Sequence, residues 1–269
     1  MLLLLAALLL AVLLAITTRE WLVLRARQRQ RGILRRWPIR KVPIERLDPR
    51  FQPDELGATR AAEVTYIGRA TIRVPGGTSD TESWILAVLA KDTRRLFEFG
   101  TCTGKTAYLW AKNQPADGTV TTLTLAPDQL DAYRSEAGDD RTAEAYAKQE
   151  SSFTRFLYTG TEVAGRVTQL YGDSKRFDET PYVDSCDVVF VDGSHAYSYV
   201  VSDTAKALRM ARPGGLVLWH DYSPACPGVF RALNELATRL PLVHIGDTTL
   251  VAYRRDFGGG VTASQRGGD

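Results

Sequence analysis

The sequence predicts an α/β fold in which a mostly parallel seven-stranded sheet carries helices on both faces. From residue 81 onward, short apolar segments alternate with segments of helical apolar spacing. This alternation is typical of parallel strands joined by helices. Near the C-terminus, Gly246-Asp247 lies between two short apolar runs, which predicts an antiparallel hairpin at one edge of the sheet. Ligands of such sheets bind at the carboxyl ends of the strands.

The individual elements follow from apolar spacing and from glycine and proline positions. Helices are predicted over 81–92, 107–113, 199–211 and 229–240, with a charged, mostly helical stretch over 128–158. Strands are predicted over 95–99, 120–125, 166–170, 187–191, 216–219, 242–245 and 249–254.

The N-terminus predicts a single-pass membrane anchor over residues 1–24. Met1–Ile16 is unbroken apolar sequence, and residues 19–41 carry nine basic side chains and one acid. About 17 to 25 residues of helix span a bilayer, and the basic cluster keeps the following chain in the cytoplasm. A cleaved signal peptide and a peripheral helix remain alternatives, although no basic segment precedes the apolar run and no clear cleavage site follows it.

Composition divides the rest of the chain. Four prolines punctuate residues 38–53, so we interpret 25–60 as a basic juxtamembrane segment and linker, 61–256 as the globular domain and 257–269 as a disordered tail. Residues 42–269 carry 25 of the 34 basic and 30 of the 31 acidic side chains. An acidic domain argues against a nucleic-acid partner, and the sequence does not indicate an oligomeric state. The three cysteines form neither a disulfide framework nor a zinc motif.

The turn between residues 98 and 106 has the pattern of a ligand-binding loop. It follows a predicted strand and opens a helix, with Gly100 able to adopt positive φ and Gly104 allowing close packing. Free N–H groups at such a helix N-terminus can bind a carboxylate. Cys102 replaces the middle glycine of the dinucleotide fingerprint, and Phe99 replaces the first glycine of the phosphate-binding loop of NTPases. A turn with a purely structural role remains the alternative.

Taken together, five motifs resemble class I S-adenosylmethionine-dependent methyltransferases of the methyltransferase 24-like group, over about residues 65–255. They are E-x-G-x-x-x-G from Glu98, LYGDS (170–174), DVVFVDGSHAY (187–197), RPGG (212–215) and LWHDY (218–222). The resemblance implies a Rossmann-like fold and S-adenosylmethionine as cofactor. It places Asp173 and Ser174 at the adenine and Asp192 near the reactive methyl group. Around the methionine and ribose it places Glu98, Gly100, Thr101, Gly104 and Thr106.

One position departs from the family. Where the family has an acidic residue that binds the ribose hydroxyls at the end of the second strand, this chain has Thr124. Threonine can make one such hydrogen bond but carries no charge. A membrane-tethered protein that binds the cofactor without turnover is therefore one alternative. An NAD-dependent oxidoreductase is another, although only the general fold supports it.

Methyl transfer to a hydroxyl group needs an aligned acceptor and a group that removes its proton. His195 and His220 follow predicted strands on the ligand side, so we take both as candidate bases, together with Asp192 as a catalytic residue. His244, in a late strand, is expected to be structural.

Two aspartates suggest a metal. Asp192, His195 and Asp221 resemble the spacing in metal-dependent O-methyltransferases of catechol and of macrolide sugars, and paired carboxylates suit Mg²⁺. The expected third ligand beside Asp221 is missing, because its neighbours are His220 and Tyr222. The expected reaction is methylation of a hydroxyl on a small molecule, a saccharide or an envelope precursor. A membrane position suits a lipid-linked saccharide.

Overall fold

The computed structural model describes residues 2–30, 37–54, 57–58, 64 and 77–256. The helices are α1 (Leu2–Gln30), α2 (Asp80–Ala90), α3 (Lys105–Asn113), α4 (Ala143–Glu150), α5 (Tyr197–Met210) and α6 (Pro227–Leu236). The strands are β1 (Arg40–Val42), β2 (Pro53–Asp54), β3 (Gly57–Ala58), β4 (Arg95–Phe99), β5 (Thr119–Thr124), β6 (Val167–Tyr171), β7 (Cys186–Val191), β8 (Ala211–Trp219), β9 (Val243–Ile245) and β10 (Val251–Arg254).

The main sheet has the strand order β1-β9-β10-β8-β7-β4-β5-β6. Strands β8, β7, β4, β5 and β6 are parallel, and β10 runs antiparallel to both β8 and β9. The predicted Rossmann-like architecture with an antiparallel C-terminal hairpin is confirmed. The chain runs outward from β4 through β5 to β6 and then returns to β7 on the other side of β4. This reversal creates a crevice at the carboxyl ends of β4 and β7, where sheets of this kind bind ligands.

The sheet has eight strands rather than the predicted seven. The additional strand, β1, pairs in parallel with β9, with Arg40 opposite Val243. Phe51, a few residues further on, is completely buried and packs edge-on against Trp84. The sequence predicts a linker here, because three residues flanked by prolines show no alternation. Its partner strand, which the sequence pattern could not identify, supplies the missing interactions.

The predicted helical stretch over 128–158 is mostly wrong. A 3₁₀ turn covers Pro127–Ala132, and only α4 is α-helical. Between them, the Asp139 side chain accepts from the backbone N–H of Glu136, and Asp140 accepts from that of Thr142. Such side-chain contacts compete with helical hydrogen bonds. The other predicted helices and strands are confirmed with shifted ends; β8 begins early because Ala211 pairs with Cys186 before a register shift.

Apolar side chains cover both faces of the sheet. In β7, Val188 and Phe190 belong to one buried cluster, and Val189 and Val191 belong to the other. This alternation follows from the two-residue period of a strand. It explains why DVVFV reads as a continuous apolar run, because parallel strands are covered on both sides.

Helix α1 presents its described side chains to the outside. Its segment Ala6–Ala26 has a mean hydropathy of 1.9 and no buried part. This helix is long and apolar enough to cross a membrane. A signal sequence near an N-terminus meets the same criteria of length and composition. The predicted disordered tail, 257–269, lies outside the described residues.

Candidate active site

An open cavity lies at the carboxyl ends of β4, β5, β6 and β7, with an empty volume of about 500 Å³ that includes the adjoining solvent. The predicted site residues that line it are Gly100, Thr124, Ser174 and Asp192. Other lining residues, which sequence reasoning missed, include Cys102, Tyr133, Glu150, Ser151, Tyr199 and Asp203.

The loop after β4 touches the loop after β7. Gly100 has φ +100°, and a Cβ atom at this position would lie 2.1 Å from the carbonyl oxygen of Asp192. Gly104, the N-cap of α3, has φ +75°, and its Cβ would lie 2.8 Å from the Tyr158 ring. Both positions therefore need glycine for conformation and for space. The close approach of Gly100 to Asp192 keeps the backbone of this glycine loop against the loop after β7.

Three of the predicted cofactor residues, Glu98, Thr101 and Thr106, have buried side chains that form a hydrogen-bonded group with Thr122 at this loop. Glu98 is buried, and its carboxylate accepts from Thr122 Oγ1 at 2.6 Å. The Thr122 hydroxyl also lies 2.8 Å from that of Thr101, and Thr106 hydrogen-bonds to Glu98. Burial raises the pKa of Glu98 to about 8, against the opposing hydrogen bonds. The three side chains support the loop, and their contact with the methionine and ribose stays a prediction.

A carboxylate lies close to the position where the family acid is missing. Thr124 Oγ1 donates to Ser151 Oγ at 3.2 Å, at the end of α4. The preceding residue, Glu150, lines the same cavity. Burial raises its pKa to about 7, with the charge of His195 opposing and the charge of Asp192 adding to the shift. No sequence motif marks Glu150, because it becomes a site residue only through the position of α4.

The far end of the cavity is formed after β6. Asp173 caps the 3₁₀ turn Ser174–Arg176, with its Oδ1 accepting from the N–H of Lys175 at 3.0 Å. Ser174 lines the cavity beside Asp203 and Tyr199 from α5. Of the two residues predicted at the adenine, Ser174 therefore faces the cavity, and Asp173 holds the turn that presents it.

Next to Asp192, a buried group of charges surrounds His220. Its Nδ1 lies 3.1 Å from Asp192 Oδ1 and 3.2 Å from Asp221 Oδ2, and its Nε2 lies 3.4 Å from Glu82 Oε2. Glu82 also accepts from the backbone N–H groups of Ser79 and Thr249. Glu82 was missed, although Ser79-x-x-Glu82 is a capping-box pattern that sequence reasoning can find.

His195 stands at the outer side of this group. Its Nε2 lies 2.9 Å from Asp221 Oδ2, and its side chain is 22% exposed, against 10% for His220. Asp221 adopts a left-handed conformation, φ +58°, which turns its carboxylate toward both imidazoles. The structure thus brings together all the predicted catalytic and metal residues, namely Asp192, His195, His220 and Asp221.

The charges of this group shift one another's pKa. Burial lowers the pKa of His220, but the charges and hydrogen bonds of Asp192, Asp221 and Glu82 raise it well above the usual value. The pKa of His195 is also raised, because Asp221 outweighs the effect of burial. Burial raises the pKa of Asp221, and the two imidazoles bring it far below its usual range. For Asp192, burial prevails and the pKa is raised.

His244 is stacked on Trp37, with ring centroids 5.5 Å apart, and its Nε2 lies 2.8 Å from the carbonyl oxygen of Thr248. Its side chain is buried. These contacts agree with the structural role expected for His244.

Two sets of side chains in the described part of the chain could hold a metal ion. They are Asp192, His220 and Asp221, and His195, Asp221 and Cys226. Mg²⁺ prefers oxygen ligands, whereas each set contains an imidazole. Burial also raises the pKa of the Cys226 thiol to about 12, which disfavours the thiolate form that binds metals. The predicted Mg²⁺ site at Asp192 and Asp221 stays a prediction, and the His220 imidazole lies within 3.2 Å of both carboxylates.

The family described as "Methyltransferase domain" matches residues 97–222, which run from β4 to Tyr222 after β8. A comparison with curated protein sequences finds no match. The matched region contains the glycine loop, Asp192, His195 and Asp221.

Several solved structures are similar to the chain. The O-methyltransferase TomG from Streptomyces achromogenes, involved in tomaymycin synthesis and in complex with SAM, is 21% identical over 66% of this chain and 82% of its own, with a TM-score of 0.44. The SAH-bound methyltransferase PaMTH1 from Podospora anserina is 15% identical over 67% and 80%, with a TM-score of 0.47. An O-methyltransferase from Bacillus cereus in complex with SAH is 17% identical over 67% and 83%, with a TM-score of 0.43.

The contact between Gly100 and Asp192 predicts a sharp effect of one methyl group. In the full-length chain in detergent, Gly100→Ala should abolish the thermal stabilisation by S-adenosylhomocysteine, because the new Cβ must separate the two loops. Gly165→Ala is the matched control, since a Cβ there meets nothing within 4 Å. An unchanged ligand-induced shift in Gly100→Ala would show that this loop does not form the cofactor site.

Proposed function

We propose that this chain, a class I S-adenosylmethionine-dependent methyltransferase over residues 97–222, methylates a hydroxyl group of a membrane-associated acceptor. The observation that carries the proposal is His195, held by Asp221 in a small pocket that shares Asp192 with the larger cavity. An acceptor hydroxyl has to lose its proton during transfer, and an imidazole paired with a carboxylate is suited to receive it.

The bound cofactor supplies a methyl group already activated on a sulfonium. The chain's own residues then have to hold the acceptor oxygen and remove its proton. With its Nε2 hydrogen directed at Asp221, His195 has Nδ1 available as the proton acceptor. The Asp221 carboxylate also stabilises the imidazolium that forms. Because His195 is the more exposed of the two imidazoles, it is the one that an acceptor can reach.

His220 has a different role in this proposal. Both of its ring nitrogens face carboxylates, so neither is available to an acceptor hydroxyl. We assign it as a positioning residue, a fixed cation that holds Asp192 and Asp221 in place. Asp192 then lies on the floor of the cavity, where its negative charge favours the cationic end of the cofactor.

The non-catalytic alternative would be favoured if Asp192 or His195 turned away from the cleft. Both residues line one concave surface together with His220 and Asp221, which supports turnover. The oxidoreductase alternative has no support from the family match, which is to a methyltransferase domain.

The first prediction of this mechanism concerns His195. His195→Ala should lower kcat by about 10²-fold or more, as expected for loss of a general base, while the Kd for S-adenosylhomocysteine stays nearly unchanged. The assay is transfer of labelled methyl groups into membrane extracts. Tyr146→Phe is the control, because it keeps the exposed ring whose centroid lies 6.3 Å from that of His195. Full activity of His195→Ala would make this histidine structural.

The second prediction concerns the metal. Because His220 provides the positive charge between Asp192 and Asp221, treatment with a chelator should leave activity unchanged within about twofold. Asp221→Asn should lose activity through its effect on His195, and excess Mg²⁺ should not restore it. Inhibition by the chelator, reversed by Mg²⁺, would instead support the metal site that the sequence pattern suggested.

Membrane attachment of the domain is supported by the N-terminal helix. The length of chain that follows this helix limits how far the domain can lie from the bilayer. Six residues separate Gln30 from Trp37, so their Cα atoms lie at most about 25 Å apart. Trp37 packs edge-on against Tyr222, with ring centroids 5.3 Å apart, and Tyr222 directly follows Asp221. A domain of this size is roughly 40–45 Å across. The reacting centre is therefore held close to the bilayer, which suits a lipid-linked saccharide or another envelope precursor.

The third prediction concerns orientation. Nine basic side chains within residues 19–41 favour a cytoplasmic position for the domain. Protease added to intact spheroplasts should leave the domain undigested, and the same protease should degrade it after lysis. Digestion in intact spheroplasts, or a soluble form lacking α1, would contradict the proposed anchor.

A further inference from the structure

A cysteine lies beside the two residues that the proposed mechanism uses for proton transfer. Cys226 directly precedes α6. Its Sγ, a ring nitrogen of His195 and a carboxylate oxygen of Asp221 all lie within 4.8 Å of one another. All three residues are partly exposed, so an ion can reach them from solvent. Thiolate, imidazole and carboxylate are the side-chain ligands of Zn²⁺ in proteins, whereas the proposed mechanism leaves Cys226 without a role.

The backbone holds these three side chains together. The start of α6 packs so closely against the His195 loop that a Cβ atom on Gly228 would lie 2.2 Å from the carbonyl oxygen of His195. The N–H of Cys226 donates to the carbonyl oxygen of Ser223 at 2.9 Å. Asp221 is already paired with His195 Nε2 at 2.9 Å. The ligand atoms therefore belong to one preorganised surface, which lowers the cost of binding.

The spacing of these atoms suits a small tetrahedral ion. Zn–S bonds of about 2.3 Å and Zn–N or Zn–O bonds of about 2.0–2.2 Å place tetrahedral ligand atoms roughly 3.3–3.6 Å apart. The separation of 2.9 Å between His195 Nε2 and Asp221 Oδ2 and the limit of 4.8 Å for the whole group bracket these values. Small side-chain adjustments therefore close the group around an ion. Three protein ligands leave the fourth position to water, as in open zinc sites.

The local charge favours a cation. Burial and the negative charges of Asp221 and Glu150 raise the pKa of the Cys226 thiol to about 12, so the thiol keeps its proton in the metal-free chain. The same negative charges attract a divalent ion, and a bound ion deprotonates a coordinating thiol. The thiol proton then passes to solvent as the metal–sulfur bond forms. The N-terminus of α6 also stabilises the thiolate.

We propose that His195, Asp221 and Cys226 form an inhibitory Zn²⁺ site, distinct from the predicted Mg²⁺ site at Asp192 and Asp221. The inhibition rests on the proposed function, in which His195 receives the acceptor's proton, but the metal site does not. A neutral imidazole that binds an ion through one nitrogen carries its hydrogen on the other nitrogen. Zn²⁺ and the acceptor's proton therefore compete for His195. A chelator would remove this inhibition rather than cause it.

The direct test titrates Co²⁺, a spectroscopic substitute for Zn²⁺, into the metal-free, reduced, full-length chain in detergent. Co²⁺ at this site should give thiolate-to-metal charge-transfer absorption in the near ultraviolet. Zn²⁺ should remove that absorption with a Kd of about 1 µM or below. Excess Mg²⁺ should not, because it prefers oxygen ligands. Lack of the charge-transfer absorption, or displacement of Co²⁺ by Mg²⁺, would overturn the inference.

A substitution then assigns the metal–sulfur bond to Cys226. Cys226→Ser should abolish the charge-transfer absorption and weaken Zn²⁺ binding by more than about 10- to 100-fold, the loss that removing a residue behind a metal ligand already causes. Cys186→Ala is the matched control, because Cys186 begins β7 and so lies at the opposite end of that strand from Asp192. The control should keep the absorption. Persistence of the absorption in folded Cys226→Ser would contradict the assignment.

The transfer assay separates this inference from the function on which it rests. Saturating Zn²⁺ should lower the rate of the wild-type chain by about 10²-fold, as loss of the base would, and chelator should restore it. Cys226→Ser should need at least tenfold more Zn²⁺ for the same inhibition. Normal transfer with the site saturated would overturn the inhibitory role. If the metal-free chain transfers no methyl group at all, the proposed function fails, and the Co²⁺ spectrum still decides the metal site.

Discussion

The imidazole of His220, bonded to three carboxylates, is the interaction on which the geometry of the site depends. Asp192 follows β7, Asp221 follows β8, and Glu82 belongs to the first turn of α2. Glu82 also binds the N–H of Thr249, next to the start of β10. One side chain therefore fixes the relative positions of two strand ends, a helix N-terminus and the hairpin. Removing one partner of a buried ion pair typically costs about 3–5 kcal/mol, which indicates how strongly these elements are held together.

This arrangement connects the large cavity to the pocket of His195, the proposed acceptor side. Asp192 lines the cavity, touches Gly100 through its backbone and reaches His220 through its carboxylate. Asp221 shares the His220 contact and also binds His195. Holding Asp221 at positive φ costs about 1–3 kcal/mol for a residue other than glycine. Its two imidazole contacts offset that cost, so the carboxylate stays where it can orient His195, the proposed base.

The sequence predicted those parts of the site that lie at strand ends. A glycine turn after one apolar strand and aspartates after two others must meet at the carboxyl edge of a parallel sheet, so Gly100, Asp192 and Asp221 could be placed together. The side chains from helices could not be predicted in this way. Glu150 and Asp203 lie in ordinary helical sequence, and only the packing of α4 and α5 turns them toward the cavity.

Local sequence patterns also could not predict the edge strand β1. A strand of three residues such as Arg40–Val42 has no periodicity to detect, and its pairing with β9 depends on a segment two hundred residues further along the chain. Residues 128–158 show the opposite error, because their composition predicts more helix than the structure contains. Aspartate side chains accept hydrogen bonds from nearby backbone N–H groups, and only α4 is α-helical. In both segments, the available hydrogen-bond partners rather than the local composition determine the secondary structure.

The proposed membrane anchor has a physical consequence for the acceptor. Trp37, the first described residue after α1, contacts the rings of Tyr222, Phe230 and His244 and therefore belongs to the aromatic cluster next to the loop that carries Asp221. Tyr222 is itself buried and stacked on Phe230. Under the proposed anchoring, the candidate reacting centre stays within a limited distance of the bilayer. An acceptor confined to the membrane surface meets such a site far more often than a dissolved one of equal abundance, since confinement raises its effective concentration.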